Sequence, residues 1–587
     1  MKKNLSAITC MVLALFIMLS ITGCQTTDVP TNTASPDQTQ TQNVTKGPKT
    51  KLDIYHMVSW NASPNKDGEV IKWLNDYLNT DLAITIDAAP NPPTFQTWLA
   101  TGEWPGVIAD RNNAFWRDTF ASGGKLIDLT KYFNDPVNYP NLAKVPKAIQ
   151  DNATDVDGRI VYFPLGYDAK QLETGKPSLI ADQICTATYY VRTDVLKALG
   201  LNHVPQTLDE VTQYLRLVKE KGLKSPNGTP MIPLGFRSEG WFSWKFFGNW
   251  WGDGWQGITK EGAYLPWFNY SKGIYNAAKW INELYREGLI DKEWFTQKPE
   301  TAEEKMANGT YAMMYPGAQS VDQINANFKK QGWDIAYEPI PIPTVPGVDE
   351  PASYAITNPY AFSVIYVTES CKNPDTVAKL ADWLVSAEGA RCASLQAAPS
   401  MIELKESGPH KGSYWYKDEY SELDYLLHSG DELTQARIKH GGNIFVGEYF
   451  SALRVDPKEL QIPNEITESQ GIQLKWTETV ISNGGFKRIP PDYLGAGTGS
   501  TRMSELNSII TGPVYSLQQQ ALVASTAEEF QKYWDQAWDK FIQLGGKEYV
   551  EEGTRLYWEW IKKNPGTESQ FPYEELYKDI PDLKIEK

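Results

Sequence analysis

The sequence predicts an α/β protein built from two or more lobes. Its 587 residues exceed what one hydrophobic core normally serves, and a hydrophobic content of 41% is enough to build more than one core. From residue 51 onwards, short strand-like runs alternate with amphipathic helical runs. That alternation is typical of α/β folds with parallel sheets.

The first residues have the pattern of a secretory leader. Lys2 and Lys3 precede an apolar run that ends at Leu19, and the sequence ITGC follows. ITGC resembles a bacterial lipobox, so we expect residues 1–23 to be a lipoprotein signal peptide and Cys24 to be lipidated, with palmitate among its acyl chains. An ordinary leader cleaved nearby is the alternative. The apolar run is too short to span a membrane, so the acyl chains would be the anchor.

The segment after the lipobox predicts a tether. Residues 24–50 are rich in Thr, Gln, Pro and Asn and contain almost no large apolar residue, so they cannot build a core. As a flexible coil, a segment of about 26 residues spans on the order of 30 Å. We expect the folded part to begin at Lys51.

The first folded segment predicts a parallel sheet with crossover helices. Its strand-like runs are KLDIYHMVSW, LAITIDAA and PGVIAD, and the helical run GEVIKWLNDYLN follows the first of them. Ligands of such sheets bind at the carboxyl ends of the strands. Trp60, Asp110 and Arg111 fall at those ends.

A second lobe begins after the run GRIVYFPLG. Thr207 can cap a helix, because Glu210 follows three residues later and completes a capping-box pattern. A long helical run, YNAAKWINELYREGLI, comes next, and NGTYAMMYPG then predicts a strand between two glycine turns.

The stretch from Gly235 to Gly257 holds five tryptophans: Trp241, Trp244, Trp250, Trp251 and Trp255. Spacings of three or four residues place several of them on one face, as in a core helix, but the glycines disfavour a helix beyond Phe247. We expect a helix followed by an irregular loop, with Trp250 to Trp255 the more exposed half. Burial in the core and lining of a sugar cleft both remain open.

Composition limits the kinds of ligand. The formal net charge is -16, and removal of the two leader lysines makes it -18, which opposes binding to nucleic acid or to anionic membranes. Twenty-one tryptophans and thirty-one tyrosines suit neutral ligands with apolar faces, sugars above all. Three cysteines remain beyond Cys24, namely Cys185, Cys371 and Cys392, and we expect them to be free, buried thiols.

Several motifs carry a family resemblance. They are the lipobox, GEWPGVIAD, DGRIVYFPLG followed by YYVRTDVLKALGL, PQTLDEVTQYL, the tryptophan-rich stretch, ELYREGLIDKEWFT and NGTYAMMYPG. Together they resemble the extracellular solute-binding proteins of bacterial ABC importers, family 1, and specifically the large LplA-like lipoproteins found mainly in Firmicutes. The resemblance covers most of the chain.

The resemblance implies a two-lobed α/β fold of the type II periplasmic-binding-protein class, with a hinge and a ligand cleft between the lobes. Residues 51–165 and 345–430 would form the N-terminal lobe, and residues 166–344 and 431–587 the C-terminal lobe. Ligand would stabilise the closed state through the contacts that it gains there.

A candidate ligand site follows from the resemblance and from the chemistry of sugars, whose C–H faces stack on aromatic rings and whose hydroxyls need polar partners. Its residues are Trp60, Asp110, Arg111, Tyr167, Glu239, Trp241, Trp244, Trp255, Tyr315 and Gln319. Gly106 replaces the family's usual Asp, and Gln319 stands where maltose-binding relatives place a stacking tryptophan. Specificity for maltose is therefore not implied.

The sequence predicts a binding protein and not an enzyme. Many LplA-like proteins carry an acidic calcium loop where this chain reads SPNGTPMIPLG, which lacks the carboxylates, so we expect neither metal nor cofactor. The expected partners are an oligosaccharide and the permease subunits, for a monomer held on the outer face of the membrane. The alternatives are a secreted, lipid-anchored glycoside hydrolase and a carbohydrate-binding surface protein without a transport role.

Overall fold

The computed structural model describes most of the chain from Gly47 onwards. The residues outside the described part are 1–46, 57–62, 87–96, 99, 112–124, 156, 175–188, 237–243, 253–256, 260, 266–270, 316–320, 349–362, 426, 429, 446–454, 456–457, 464–500, 564–571 and 574–587. By contacts, residues from Pro48 onwards form one compact unit.

The described strands are short. They are β1 Thr50–His56, β2 Thr80–Ile86, β3 Val107–Arg111, β4 Tyr162–Leu165, β5 Tyr190–Arg192, β6 Ile232–Phe236, β7 Gly257–Thr259, β8 Tyr264–Leu265, β9 Tyr311–Tyr315, β10 Tyr337–Pro339, β11 Ser363–Val367, β12 Ile402–Leu404, β13 Tyr414–Tyr416 and β14 Pro572–Tyr573.

The described α-helices cover the strands and fill the C-terminal third. They are α1 Glu69–Leu78, α2 Thr130–Phe133, α3 Lys147–Asn152, α4 Ala169–Thr174, α5 Thr193–Ala198, α6 Leu208–Glu220, α7 Lys272–Arg286, α8 Pro299–Ala307, α9 Val321–Lys330, α10 Pro374–Leu384, α11 Ala387–Leu395, α12 Gly430–His440, α13 Thr501–Leu522, α14 Ala527–Gln543 and α15 Gly546–Lys563. In this part of the chain, every helix is too short or too polar to cross a bilayer.

The first sheet has the strand order β2-β1-β3-β11-β4. β1 runs parallel to β2 and β3, as the sequence predicts. β11 is antiparallel to both of its neighbours, so β4 points the same way as β1 to β3. β11 was not predicted from the sequence; it enters the sheet from a segment about 250 residues after β3 and makes the sheet mixed.

The second sheet has the order β10-β5-β9-β6. β6 and β9 are parallel, and the predicted strand in NGTYAMMYPG is confirmed as β9. β5 is antiparallel to β9 and to β10. The helix predicted after Thr207 is α6, where the Thr207 hydroxyl accepts from Glu210 N at 3.1 Å and completes a capping box.

The C-terminal helices pack on α7. Asn282 of α7 is buried, and its Nδ2 donates to the carbonyl oxygens of Ala521, Leu522 and Ala524 at 3.2, 3.3 and 2.8 Å. Carbonyls at the end of a helix have no partner within the helix, so this amide satisfies the end of α13 from outside. The contact holds residues 501–524 against the second sheet's helices.

The thiols of Cys371 and Cys392 are free. Cys392 is buried in α11, as expected, and burial raises the pKa of its thiol. Cys371 is only half-buried, because it precedes α10 on a turn at the edge of the first sheet, so the expectation of burial is wrong for it. Cys185 lies outside the described residues.

A buried histidine joins α12 to α1. His440 Nδ1 lies 2.6 Å from Oε2 of Glu69, and its Nε2 contacts Oε1 of Glu422. Both ring nitrogens of His440 therefore face carboxyl oxygens. The backbone is close here as well, since a Cβ on Gly68 would lie 2.5 Å from the His440 carbonyl carbon. We call Glu69, Glu422 and His440 the histidine clamp.

The histidine clamp makes stability depend on pH. The hydrogen bonds from Lys439 and His440 lower the pKa of Glu422. Burial opposes ionisation of Glu69, but its hydrogen bonds to His440 and to the backbone, together with the charges of His440 and Lys72, lower its pKa. A carboxyl whose pKa is lowered by folding contributes stability above its unfolded pKa, about 4.3 for Glu, and this is lost as pH falls through the folded value.

We therefore expect the melting temperature to fall as pH drops from 5 towards 3, and less steeply in Glu422→Gln, which lacks the titrating group. Differential scanning calorimetry across this pH range measures the slope. Glu406→Gln, an exposed glutamate outside the clamp, is the control and should follow the wild-type slope. Equal slopes for Glu422→Gln and wild type would contradict the role of the clamp.

Candidate ligand-binding site

The carboxyl edge of the first sheet gathers polar residues from distant parts of the chain. β3 ends with Asp110 and Arg111, and Asp110 is buried, with 6% of its surface exposed. Ser363 begins β11 and pairs with Arg111 on one side and with Leu165 on the other. Neighbouring strands lie about 4.8 Å apart, so the register brings these three residues into one row.

The turn after β4 adds two buried side chains at the same edge. Tyr167 and Asp168 follow Leu165 directly and are 4% and 0% exposed. Burial raises the pKa of the Tyr167 hydroxyl, which therefore stays neutral at physiological pH. This edge thus carries hydroxyl and carboxyl groups, which suit hydrogen bonding to a polar ligand.

The carboxyl edge of the second sheet is aromatic. Tyr315 ends β9, and its ring centroid lies 5.5 Å from that of Tyr189, which precedes β5. Tyr189 stacks on Phe247 at 4.0 Å and meets Trp250 edge-on at 5.3 Å. The tryptophan-rich stretch therefore packs over this edge.

Residues 244–251 form a 3-10 helix, where the sequence predicts a helix followed by a loop. Trp280 of α7 contacts Phe247, Trp250 and Trp251. Phe247 and Trp250 are buried between α7 and the second sheet, and Trp251 is half-buried.

Two expectations for this stretch are wrong. Trp244, predicted as a sugar platform, is 1% exposed and meets Trp534 of α14 edge-on at 6.4 Å, so its indole is a core group without an open face. Trp250, assigned to the more exposed half, is 2% exposed. Both errors have one cause: the C-terminal helices and α7 cover this segment, and nothing local in the sequence indicates that cover.

Lys245 links the 3-10 helix to α13. Its Nζ donates to the Tyr515 hydroxyl at 3.2 Å and lies 4.4 Å from the centre of that ring. Burial lowers the pKa of Lys245 well below its usual range. The contact fixes the side of the stretch that faces away from Tyr189.

Several predicted site residues lie outside the described part of the chain: Trp60, Glu239, Trp241, Trp255 and Gln319. Of the remainder, Asp110, Arg111 and Tyr167 come to the edge of the first sheet, and Tyr315 comes to the edge of the second. Sequence reasoning missed Ser363, Asp168 and Tyr189. The double tyrosine before VRTDVL was the available signal for Tyr189, whereas Ser363 needed knowledge of β11.

Gly106, which replaces the family's usual Asp, lies away from these edges. Gly106 precedes the amino end of β3, and a Cβ there would lie 3.0 Å from the Cys371 Cα. Close packing against Cys371 accounts for glycine at this position. It therefore has no direct bearing on ligand choice at Asp110.

The loop from Ser225 to Thr229, where no calcium loop is expected, is closed by its own hydrogen bonds. Asn227 Oδ1 accepts from the Thr229 hydroxyl at 2.9 Å and also from the Ser225 hydroxyl. Ser225 N donates to the Thr229 carbonyl at 2.8 Å. Across the described residues, no three His, Cys, Asp or Glu side chains form a group that could hold a metal ion.

The sequence profile of the bacterial extracellular solute-binding proteins matches residues 75–391, more than half of the chain. The chain belongs to this family. No curated protein sequence matches this solute-binding protein.

Solved structures of similar fold cover nearly all of this chain. A Streptococcus pneumoniae ABC-transporter substrate-binding protein, FusA in complex with kestose, has a TM-score of 0.63 at 16% identity, over 88% of this chain and 100% of that one. A Bifidobacterium longum infantis protein described as HMO-binding and ABC-transporter-associated has a TM-score of 0.61 at 19% identity. That match covers 89% of this chain and 99% of the other. The alginate-binding protein AlgQ2, solved without calcium, has a TM-score of 0.62 at 17% identity, and the match covers 87% of this chain and 98% of the other. These likenesses establish the fold of a two-lobed solute-binding protein.

The closed loop predicts that stability does not depend on calcium. We expect the same melting temperature with excess EDTA and with added calcium, because hydroxyl and amide groups already satisfy the loop. Asn227→Ala should lower stability by about 1 kcal/mol in both conditions, since it removes hydrogen-bond partners without touching a metal. Scanning calorimetry measures all four samples. A lower melting temperature for the wild-type protein in EDTA would contradict this account.

Proposed function

We propose that this protein is the membrane-anchored extracellular component of an ABC importer and captures a sugar, an oligosaccharide, between its two lobes. The family match over residues 75–391 carries the proposal. Related folds are those of proteins named for binding alginate, HMO and kestose, which supports a carbohydrate ligand. Those relatives are binding proteins, which supports a role without catalysis.

The two sheet edges supply the groups that a sugar requires. Asp110 and Tyr167, which are 6% and 4% exposed, offer hydrogen-bonding groups on the first lobe, and Tyr315, which is 7% exposed, offers aromatic surface on the second. Sugar rings need both kinds of contact. We retain the site residues that lie outside the described part in the proposal: Trp60, Glu239, Trp241, Trp255 and Gln319. Trp244 is removed from it.

The lobe assignment stays close to the sequence prediction. The strands of the first sheet come from residues 50–165 and 345–430, one residue more than predicted at the start, and those of the second come from residues 166–344. We assign α12 to the first lobe, because His440 contacts Glu69. The C-terminal helices go with the second lobe through Asn282.

The anchor is proposed from the leader alone. The sequence ITGC supports a lipid on Cys24, and the tether from 24 to 50 would let the anchored folded unit stand away from the membrane surface. A monomer suits capture of one ligand between two lobes and delivery to permease subunits.

A thermal-shift screen of residues 48–587 against oligosaccharides tests this function. A sugar that binds only the native state raises stability by about 2.7 kcal/mol at a concentration of 100 times its Kd. We expect such a shift for at least one sugar and none for nucleotides or amino acids. Asp110→Asn should reduce the shift, while Asp128→Asn, an exposed aspartate elsewhere, should leave it unchanged.

Chromatography of the same mixtures separates binding from catalysis. Recovery of the intact sugar together with a thermal shift supports a binding protein. New reducing ends would contradict the transport proposal and favour a glycoside hydrolase.

A further inference from the structure

A small pocket opens beside Tyr167. Its volume is about 180 Å³, and we call it the Tyr167 pocket. The residues that line it are Asn141, Lys144, Pro146, Tyr167, Ala169, Val385 and Val455. Pockets for drug-sized ligands range from about 300 to 1,000 Å³, so this one accommodates a single ring and not a whole oligosaccharide.

The pocket lies at the carboxyl edge of the first sheet. Tyr167 and Ala169 follow the carboxyl end of β4. Val385 is the C-cap of α10, which returns to that edge after β11 has crossed to the opposite one. Ligands of open α/β sheets bind outside the carboxyl ends of the strands, so the position suits a part of the ligand cleft.

Tyr167 is 4% exposed, and its side chain lines the pocket. Burial raises the pKa of this phenol, which therefore can both donate and accept. A ligand hydroxyl in the pocket would be its hydrogen-bond partner.

Two further polar groups line the pocket. The backbone N and Nδ2 of Asn141 donate to Asp382 at 2.8 and 2.9 Å, which fixes the side chain and leaves its amide oxygen as an acceptor. Lys144 is exposed and makes no ion pair with any described residue. The pocket thus presents a phenol, an amide oxygen and an ammonium group.

The remaining lining is apolar. Pro146, Val385 and Val455 present C–H surface, and Ala169 leaves room at the start of α4. Apolar walls with a few convergent polar groups are typical of small-molecule sites. A sugar ring has the matching surface, because its C–H faces are apolar and its hydroxyls project from the rim.

We propose that the Tyr167 pocket is a subsite that takes one ring of the oligosaccharide, with a ring hydroxyl bonded to Tyr167 and others to Asn141 and Lys144. This inference rests on the proposed sugar-binding function. It assigns one sugar unit to the first lobe at β4, which β11 separates from β3 and Asp110.

The experiment uses a glycan array of defined neutral and acidic oligosaccharides, followed by calorimetry on the array member that binds best. Tyr167→Phe removes only the hydroxyl and should weaken binding about three- to tenfold, the worth of one hydrogen bond. Ala169→Leu fills the pocket and should weaken binding more than tenfold. Both variants should melt close to the wild-type temperature.

The control variants match these changes elsewhere. Tyr285→Phe alters a half-buried tyrosine of α7, and Ala326→Leu alters an exposed helical alanine of α9. Both should bind as wild type does. If Tyr167→Phe and Ala169→Leu bind as tightly as the controls, the pocket is not a subsite, while sugar capture stands. If the wild-type protein binds nothing on the array, the proposed function and the subsite are both wrong.

Discussion

The pairing of β11 with two strands organises the first lobe. Residues 363–367 insert antiparallel between β3 and β4, whose own segments lie about 50 residues apart in sequence. This register fixes Arg111, Ser363 and Leu165 in one row and therefore sets where Asp110 and Tyr167 stand. A shift of one residue would turn every side chain of β11 to the other face. All five residues of β11 are buried, which makes such a shift costly.

The second lobe depends on cover from the end of the chain. α13 and α14 reach the tryptophan-rich stretch through Tyr515 and Trp534, and α7 holds α13 through Asn282. Because Trp244 is buried against Trp534, the helices hold one side of the tryptophan-rich stretch in place. Its other side packs with Tyr189 at the sheet edge. The stretch therefore joins the C-terminal helices to the proposed ligand surface.

Local features were predictable from sequence, and contacts between distant segments were not. The capping box at Thr207, the strand in PGVIAD and the strand in NGTYAMMYPG each depend on neighbouring residues, and all are confirmed. The antiparallel β11 depends on partners about 200 to 250 residues away, and the burial of Trp244 depends on α14. For the candidate site, the sequence predicted Asp110 and Tyr167, which stay predictions, but it could not reveal the pocket, which needs Asn141 and Val385 beside Tyr167.

The central claim is that one sugar binds the carboxyl edges of both sheets. A crystal structure of residues 48–587 with a bound oligosaccharide tests it most directly. The account predicts sugar hydroxyls within hydrogen-bonding distance of Asp110 or Tyr167 and a sugar ring against Tyr315. A sugar held by one lobe alone, or at the amino edges of the sheets, would contradict it.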